Sequence, residues 1–176
     1  MKPNSSSVPP FAELVADCHH SAVHLELRDS YGVSSESEDF AEWKATGEIT
    51  PASVERRRPW LDLVRETVGR GVIMRRARVV SVPVSEYIRY EHAGTHLNVE
   101  AGELVRWLPR PEAATLLLPG ADLWLLDGRL IRFGHFAGDG SRVGHELNED
   151  PAVAKMCADA FELVWERGIP HEEFTV

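Results

Sequence analysis

The sequence lacks the features that would assign it at once to several classes of protein. Its 176 residues include only two cysteines, Cys18 and Cys157, too few for a disulfide scaffold. Both lie on apolar faces of predicted helices, so we expect buried free thiols in a cytoplasmic protein. The chain has no apolar run near the roughly 20 residues that a membrane-spanning helix needs. Residues 1–10 lack the apolar centre of a signal peptide and are predicted to be a disordered lead to a single domain from 11 to 176.

An excess of basic charge is also missing. The chain carries 19 Lys and Arg against 28 Asp and Glu, a formal net charge of −9. A protein that binds phosphate backbones on its own usually has a basic excess, so direct nucleic-acid binding is not expected. The local basic positions Arg75, Arg76 and Arg78 lie on a predicted strand, and we interpret them as a solvated row. An anion-binding row is the alternative.

Motifs for catalysis and metal binding are equally scarce. His92 and His96 have the spacing of two metal ligands on one helix, but Ala93 occupies the position of the glutamate in zinc proteases, and Gly94 weakens the helix. The serines lack the Gly-x-Ser-x-Gly pattern, and Gly138-Asp-Gly140 lacks the Lys-Ser/Thr of a phosphate loop. We therefore predict no catalytic residue, no metal and no cofactor.

The clearest local signal is a hairpin within residues 121–133. Four consecutive apolar residues, Leu123 to Leu126, predict a strand buried on both faces. Asp127-Gly128 then predicts a tight turn, because glycine supplies the positive φ that a two-residue turn requires. The returning strand, with Arg132 between Ile131 and Phe133, is expected to face water on one side. A carboxylate at the end of a buried strand makes Asp127 a candidate site residue.

The other elements follow from hydrophobic spacing and helix-start signals. Strands are predicted around 21–27, 72–82 and 104–108, and residues 135–144 form a Gly-rich loop or a bulged hairpin. Helices are predicted over 11–18, around 40–43, from Thr50-Pro51 with an interruption or a restart at Pro59, from Ser85 to a break at Gly94, and from Asp150-Pro151 to Gly168. This order predicts an α/β protein with a single mixed β-sheet and helices on both faces.

Charged and polar side chains concentrate at the predicted strand ends. Ligands bind at such edges of α/β sheets, which makes these side chains candidates for ligand binding. A structural network of ion pairs between the carboxylates and the arginines is the alternative, and the one that we favour. The candidates are His24, Glu26, Arg28, Arg76, Arg78, Glu91, Asn98, Glu103, Arg106, Asp122 and Asp127.

Several strings of the sequence resemble those of one family, DUF6879. They include 21–31, 76–81, 87–91, 101–103, 105–110, 118–122, 124–127 and 160–165. This family is uncharacterised and occurs in actinobacteria, above all Streptomyces. The resemblance implies no known activity. Its members often lie near genes for helix-turn-helix regulators and small DUF397-type proteins, which implies a link to regulation or to conflict systems.

The element order also resembles one half of the phospholipase D fold. The catalytic motif of that superfamily, His-x-Lys-x4-Asp, lies on the strand before such a hairpin. Alignment on Asp127 places Gly120 at the histidine and Asp122 at the lysine. Without the imidazole no covalent phosphohistidine can form, and a carboxylate in place of the lysine repels a phosphodiester. The resemblance thus implies a fold without phospholipase chemistry, and single-half members tend to form dimers.

These observations give two hypotheses of function. The first is a non-enzymatic regulatory or interaction module that binds a helix-turn-helix regulator or a small neighbouring protein, a small-molecule ligand, or a second copy of itself. It would act without direct nucleic-acid or membrane contact. The second is an enzyme that processes a phosphoester or a nucleotide. It would use the carboxylates with a metal, or His24 or His135 as a base.

Overall fold

A seven-stranded mixed β-sheet forms the centre of the protein, described here from a computed structural model for residues 8–32 and 36–176. The strand order is β6-β5-β4-β1-β2-β3-β7, in which β1, β2 and β3 are parallel and the other pairings are antiparallel. This is the predicted single mixed sheet. The strands are β1 Ser21–Glu26, β2 Ile73–Val80, β3 Leu104–Pro109, β4 Asp122–Leu126, β5 Leu130–Phe136, β6 Arg142–Asn148 and β7 Ile169–Pro170. Residues 1–7 of the predicted disordered lead lie outside the described residues.

Five α-helices and one short 3-10 helix connect these strands. They are α1 Phe11–Ala16, α2 Ser37–Thr46, α3 Pro51–Gly69, α4 Glu86–Glu100, α5 Pro151–Arg167 and the 3-10 helix Arg110–Ala113. Three predicted helix starts are confirmed by side chains that accept an N–H of the first turn: Thr50 from Ser53, Ser85 from Ile88, and Asp150 from Ala152. Among the described residues, no helix is long and apolar enough to cross a bilayer.

Two predicted helix breaks are wrong. Helix α3 continues through Pro59, because this proline is exposed while Leu61 and Val64 on the opposite side anchor the helix in the core. Helix α4 continues through Gly94, and this glycine allows α3 and α4 to pack together. A Cβ at this position would lie 2.5 Å from Nη1 of Arg57, so the glycine allows the Arg57 side chain of α3 to approach α4. Asn98 therefore lies within α4.

Helices cover both faces of the sheet, as predicted. Helix α5 packs through Cys157, Phe161 and Val164 against one face. Helices α1 and α3 pack against the other face, where Met74 and Trp124 belong to the same buried cluster as Leu61 and Val64. Because side chains alternate along a strand, β4 is buried on both faces. The strand is thus buried as its four apolar residues predicted.

The hairpins at the β4 end of the sheet are also as the sequence predicts, with one addition. Asp127 and Gly128 have φ of 50° and 64°, the predicted left-handed conformation, and the Arg129 N–H donates to the Leu126 carbonyl at 3.0 Å. The strands pair Leu126 with Leu130, so the connection contains Arg129 in addition to the two predicted residues. The Gly-rich segment is a bulged hairpin, with a register shift between His135 and Phe136. The strand that follows extends to Asn148, and the hydrophobic pattern did not predict it.

Candidate functional site

A pocket of about 510 Å³ lies on the face of the sheet that α1, α3 and α4 cover. Its floor consists of side chains from β1, β2 and β4, and the β5–β6 hairpin forms one wall. This volume is typical of a small-molecule site. The predicted candidates that line it are His24, Glu26, Arg76, Arg78, Glu91, Asn98 and Asp122.

The parallel pairing of β1 with β2 assembles the charged floor of the pocket. Its register places His24 beside Arg76 and Glu26 beside Arg78. The Glu26 carboxylate lies 2.5 Å from Nη1 of Arg76 and 2.9 Å from Nε of Arg78. One carboxylate therefore bridges two guanidinium groups.

Further carboxylates neutralise the same two arginines. Nε of Arg76 lies 2.9 Å from Glu103, which also accepts a 2.6 Å hydrogen bond from Asn98. Nη2 of Arg78 lies 2.6 Å from Glu91. Burial lowers the pKa of Arg78, but the Glu26 and Glu91 charges outweigh it and hold the pKa above its ordinary value.

This geometry corrects the interpretation of the β2 arginines as a solvated row. Arg76 is 8% exposed and Arg78 is 5% exposed. Buried guanidinium groups require paired carboxylates, and the network supplies them. The alternative favoured from the sequence, ion pairs between the strand-end charges, describes these residues.

His24 is held in its neutral form within the floor. Burial lowers its pKa well below the ordinary value, and the Arg76 and Arg78 charges lower it further. Its ring stacks on Trp124, with the centroids 4.2 Å apart. Its Nδ1 is 3.2 Å from Glu26 but has no partner in hydrogen-bond geometry among the described residues.

Two carboxyl groups of the pocket titrate near neutrality. Asp122 accepts hydrogen bonds from the Leu27 N–H, at 2.9 Å, and from the Tyr31 hydroxyl. Burial raises its pKa to about 6 despite the Tyr31 bond. Burial and the Glu91 charge raise the pKa of Glu36 to about 7, although Glu36 accepts a hydrogen bond from Tyr87. Both groups can therefore donate as well as accept hydrogen bonds.

Asp127, the candidate at the hairpin turn, lies outside the pocket. Its carboxylate accepts the backbone N–H groups of His19, His20 and Ser21, at 2.7 to 3.0 Å. Burial raises its pKa, but these bonds and that of Cys18 hold it well below the ordinary value. Asp127 thus joins the β4–β5 turn to the connection between α1 and β1.

The remaining candidates occupy other places. Arg106 donates to the Trp165 carbonyl at 2.8 Å, and Glu103 lies behind the floor, fully buried. Arg28 packs over the Phe136 ring without lining the pocket.

The structure also shows the surroundings of the two candidate metal-binding histidines and of the two cysteines. His92 contacts the Phe174 carbonyl and His96 the Ala93 carbonyl. Among the described residues, no three His, Cys, Asp or Glu side chains form a group that could hold a metal ion. Both cysteines are buried and free, and burial, with the Asp127 carboxylate, raises the pKa of Cys18 to about 11.

Sequence reasoning did not predict the aromatic and basic residues that form one wall of the pocket. This wall contains aromatic residues from α1 and α3, namely Phe11 and Trp60, and three basic residues of the β5–β6 hairpin. Arg132 was interpreted as facing water, because it alternates with Ile131 and Phe133. The basic residues are Arg132, Arg142 and His145.

The architecture defines a class of fold, that of phospholipase D. The chain is similar to Nuc of Salmonella typhimurium, a phospholipase D family member, with a TM-score of 0.52 and 10% identity over 90% of this chain and 86% of that one. It is also similar to TrmBL2, an archaeal chromatin protein described as showing a novel mode of DNA binding, with a TM-score of 0.50 and 11% identity over 90% of this chain and 48% of that one. At these identities the likeness concerns the fold alone.

The chain belongs to the DUF6879 family, described as a domain of unknown function, whose model matches residues 9–176. None of the curated proteins compared with the sequence matches it.

Proposed function

We propose that the protein is a non-enzymatic regulatory module that binds a small molecule in its pocket and conveys its presence to a protein partner. The observation that carries the proposal is the state of the floor arginines. Arg76 and Arg78 are each paired with two carboxylates, so the floor is preformed and its charge is already neutralised. Such a floor supports reversible binding, because Arg76 and Arg78 themselves are not free to stabilise a new negative charge.

The residues around the floor support the same proposal. The described lining residues include no Ser, Thr, Cys or Lys. At the motif positions of the phospholipase D fold, the alignment on Asp127 places Gly120 and Asp122. His24 is in the neutral form that a nucleophile requires, but its Nδ1 is buried beside Glu26 and its ring is stacked on Trp124, which leaves it poorly placed to attack a substrate.

An activity assay tests the non-enzymatic part of the proposal. Purified protein is incubated with bis(p-nitrophenyl) phosphate and with p-nitrophenyl phosphate, in EDTA and in MgCl2. We expect no release of p-nitrophenol above that of the buffer. Release that the Asp122→Asn variant abolishes and the exposed Asp62→Asn variant retains would overturn the proposal.

The partner proposed is a helix-turn-helix regulator or a small neighbouring protein, and a second copy of the chain is the alternative. Affinity purification of the tagged protein from its native cell, followed by mass spectrometry, tests the first. Light scattering on the purified chain tests the second. Repeated purifications that recover no regulator, together with a monomer in solution, would count against an interaction module.

One observation favours a second candidate function, an enzyme acting on a phosphoester or a nucleotide. The Asp122 carboxyl, with its pKa raised to about 6, has the protonation range of a general acid. The same assay separates the two candidates. An enzyme using Asp122 would give turnover that falls as the pH rises above about 6.

A further inference from the structure

The basic side chains of the pocket are in two electrostatic states. Arg76 and Arg78 on the floor have carboxylate partners, and so have Arg56 and Arg57 of α3. Arg132, Arg142 and His145 on the β5–β6 hairpin have no ion pair with any described residue. We call these three residues the hairpin cluster.

The β-bulge brings the hairpin cluster together. Arg142 and His145 are three residues apart, and in a regular strand an odd spacing would place them on opposite faces. The register shift pairs His145 with Gly134 and Arg142 with Phe136, so one strand gains an extra residue. Arg142 and His145 therefore line the same pocket as Arg132.

The hairpin cluster is uncompensated at the level of single atoms. Nε of Arg132 and Nδ1 of His145 are buried and have no hydrogen-bond partner in the part of the chain that is described. The stretches outside it, 1–7 and 33–35, contain no Asp or Glu that could neutralise the cluster. Burial, followed by the Arg142 charge, lowers the pKa of Arg132. Burial, followed by the Arg132 and Arg142 charges, lowers the pKa of His145, although a hydrogen bond with the Phe133 backbone acts in the opposite direction.

Space and an apolar surface lie next to these donors. A Cβ on Gly134 would lie 3.3 Å from the Phe136 ring and 3.9 Å from Nδ1 of His145, so the glycine allows the Phe136 ring to pack closely against β5 beside the imidazole. Cζ of Arg132 lies 5.7 Å from the Phe11 ring. The ring centroids of Phe11 and Trp124 are 4.5 Å apart, and those of Trp124 and Trp60 are 6.0 Å apart.

We infer that Arg132, Arg142 and His145 bind an oxyanion group of a small molecule whose planar or apolar part packs against Phe11, Trp60 and Trp124. A phosphate monoester and a carboxylate share this chemistry, since both present several acceptor oxygens to guanidinium and imidazole donors. An oxyanion at this position gives a hydrogen-bond partner to Nε of Arg132 and to Nδ1 of His145. It also reduces the repulsion between the charges of Arg132 and Arg142. The inference rests on the proposed function and names the chemical class of its ligand.

Titration with simple anions tests the inference. The affinities of the intact protein for inorganic phosphate, phenyl phosphate and benzoate are measured by calorimetry and by the rise in Tm, at constant ionic strength in chloride. We expect saturable binding of at least one anion. Phenyl phosphate should bind at least fivefold more tightly than inorganic phosphate, because its ring reaches the aromatic wall. Tighter binding of benzoate than of inorganic phosphate would identify the ligand as a carboxylate.

Variants locate the site. Arg132→Gln and His145→Gln should each weaken binding at least tenfold. Arg129→Gln is the matched control, since Arg129 lies in the β4–β5 turn directly before β5, is exposed and pairs with Glu149. Arg132→Lys retains the charge and should retain part of the affinity. Without anion, Arg132→Gln should be at least as stable as the wild type, because it removes an uncompensated cation.

Two results would overturn the inference: equal affinities of the wild type, Arg132→Gln and Arg129→Gln for every anion, or no saturable binding at all. Neither bears on the proposed function, which stands if affinity purification recovers a partner. Conversely, turnover of p-nitrophenyl phosphate with the anion site intact would refute the proposed function and leave the oxyanion site in place.

Discussion

At the scale of single residues, the state of each arginine depends on the carboxylates within its reach. Arg76 and Arg132 both line the same pocket and both lie on strands. The first contacts Glu26 and Glu103, and the second contacts no carboxylate of the described residues. A buried ion pair gives specificity of arrangement more than net stability, so the larger cost arises when one partner is removed.

Replacement of Glu26 tests this cost. Glu26→Gln removes the carboxylate shared by Arg76 and Arg78 and leaves part of two buried charges unpaired, so we expect a loss of about 3–5 kcal/mol in the free energy of unfolding. Urea denaturation measures it. Glu149→Gln, which removes an exposed pair with Arg129, should cost about 0–1 kcal/mol. Equal losses in the two variants would contradict a network held by Glu26.

Asp122 leads to a prediction on pH. Its pKa is about 6 in the folded protein and about 3.9 in an unfolded chain. The folded state binds this proton more tightly, so the contribution to stability is complete below about pH 4 and is lost as the pH rises through about 6. The Asp122→Asn variant lacks this dependence.

The measurement is the difference in unfolding free energy between Asp122→Asn and the wild type. We expect it to favour the variant by about 1–3 kcal/mol more at pH 7.5 than at pH 4.5. Asp62→Asn, at an exposed position, serves as the control and should show no such change. A difference that is constant with pH would show that the Asp122 carboxyl is ionised throughout this range.

At the scale of elements, the contact between α3 and α4 depends on the space that a missing side chain leaves. Gly94 of α4 leaves space for Arg57 of α3, which donates a 2.7 Å hydrogen bond to the Tyr90 hydroxyl and lies 5.1 Å from the Tyr90 ring. A glycine inside a helix costs about 0.8–1.0 kcal/mol relative to alanine. The chain retains it here because a side chain would displace the guanidinium.

Paired alanine substitutions test this explanation. Gly94→Ala forces Arg57 from Tyr90, and we expect a net loss of about 1 kcal/mol in unfolding free energy despite the better helix propensity. Gly69→Ala, at the end of α3, meets no atom within 4 Å and should stabilise the protein by up to about 1 kcal/mol. Thermal unfolding of both variants measures the contrast. Stabilisation in both would contradict the packing role of Gly94.

The predictability of an element follows from how local its causes are. The turn at Asp127-Gly128 and the helix starts at Ser85 and Asp150 were predicted, because each depends on residues within one turn. For residues 135–144 the sequence left a loop and a bulged hairpin as alternatives, since the bulge depends on pairing with β6. The helix breaks predicted at Pro59 and Gly94 were wrong, because contacts between α3, α4 and the core outweigh the local preference of these residues.

At the scale of the whole molecule, charge distinguishes this chain from a protein that binds nucleic acid on its own. The net charge is −9. Arg76 and Arg78 are buried and neutralised within the pocket. The likeness to TrmBL2 concerns the fold and does not supply a basic surface.

We therefore expect no binding of the isolated chain to duplex DNA at physiological salt, with a dissociation constant weaker than about 100 µM. Fluorescence anisotropy of a labelled duplex measures this. The Arg132→Gln variant should give the same result as the wild type, because Arg132 belongs to the pocket. Salt-dependent binding in the micromolar range that Arg132→Gln weakens would assign the hairpin cluster to a nucleic-acid surface.

The sequence by itself determined the fold class, the hairpin, the caps and seven of the pocket's charged or polar side chains, namely His24, Glu26, Arg76, Arg78, Glu91, Asn98 and Asp122. Hydrophobic period, turn chemistry and the positions of charges at strand ends are local properties, and they suffice for this. Only the tertiary structure decided which of these charges are paired. It also showed that Asp127 binds backbone amides and that the β5–β6 bulge places Arg132, Arg142 and His145 on one wall. Ion pairing and side-chain orientation depend on strand register, and register is set by contacts between segments that are distant in the chain.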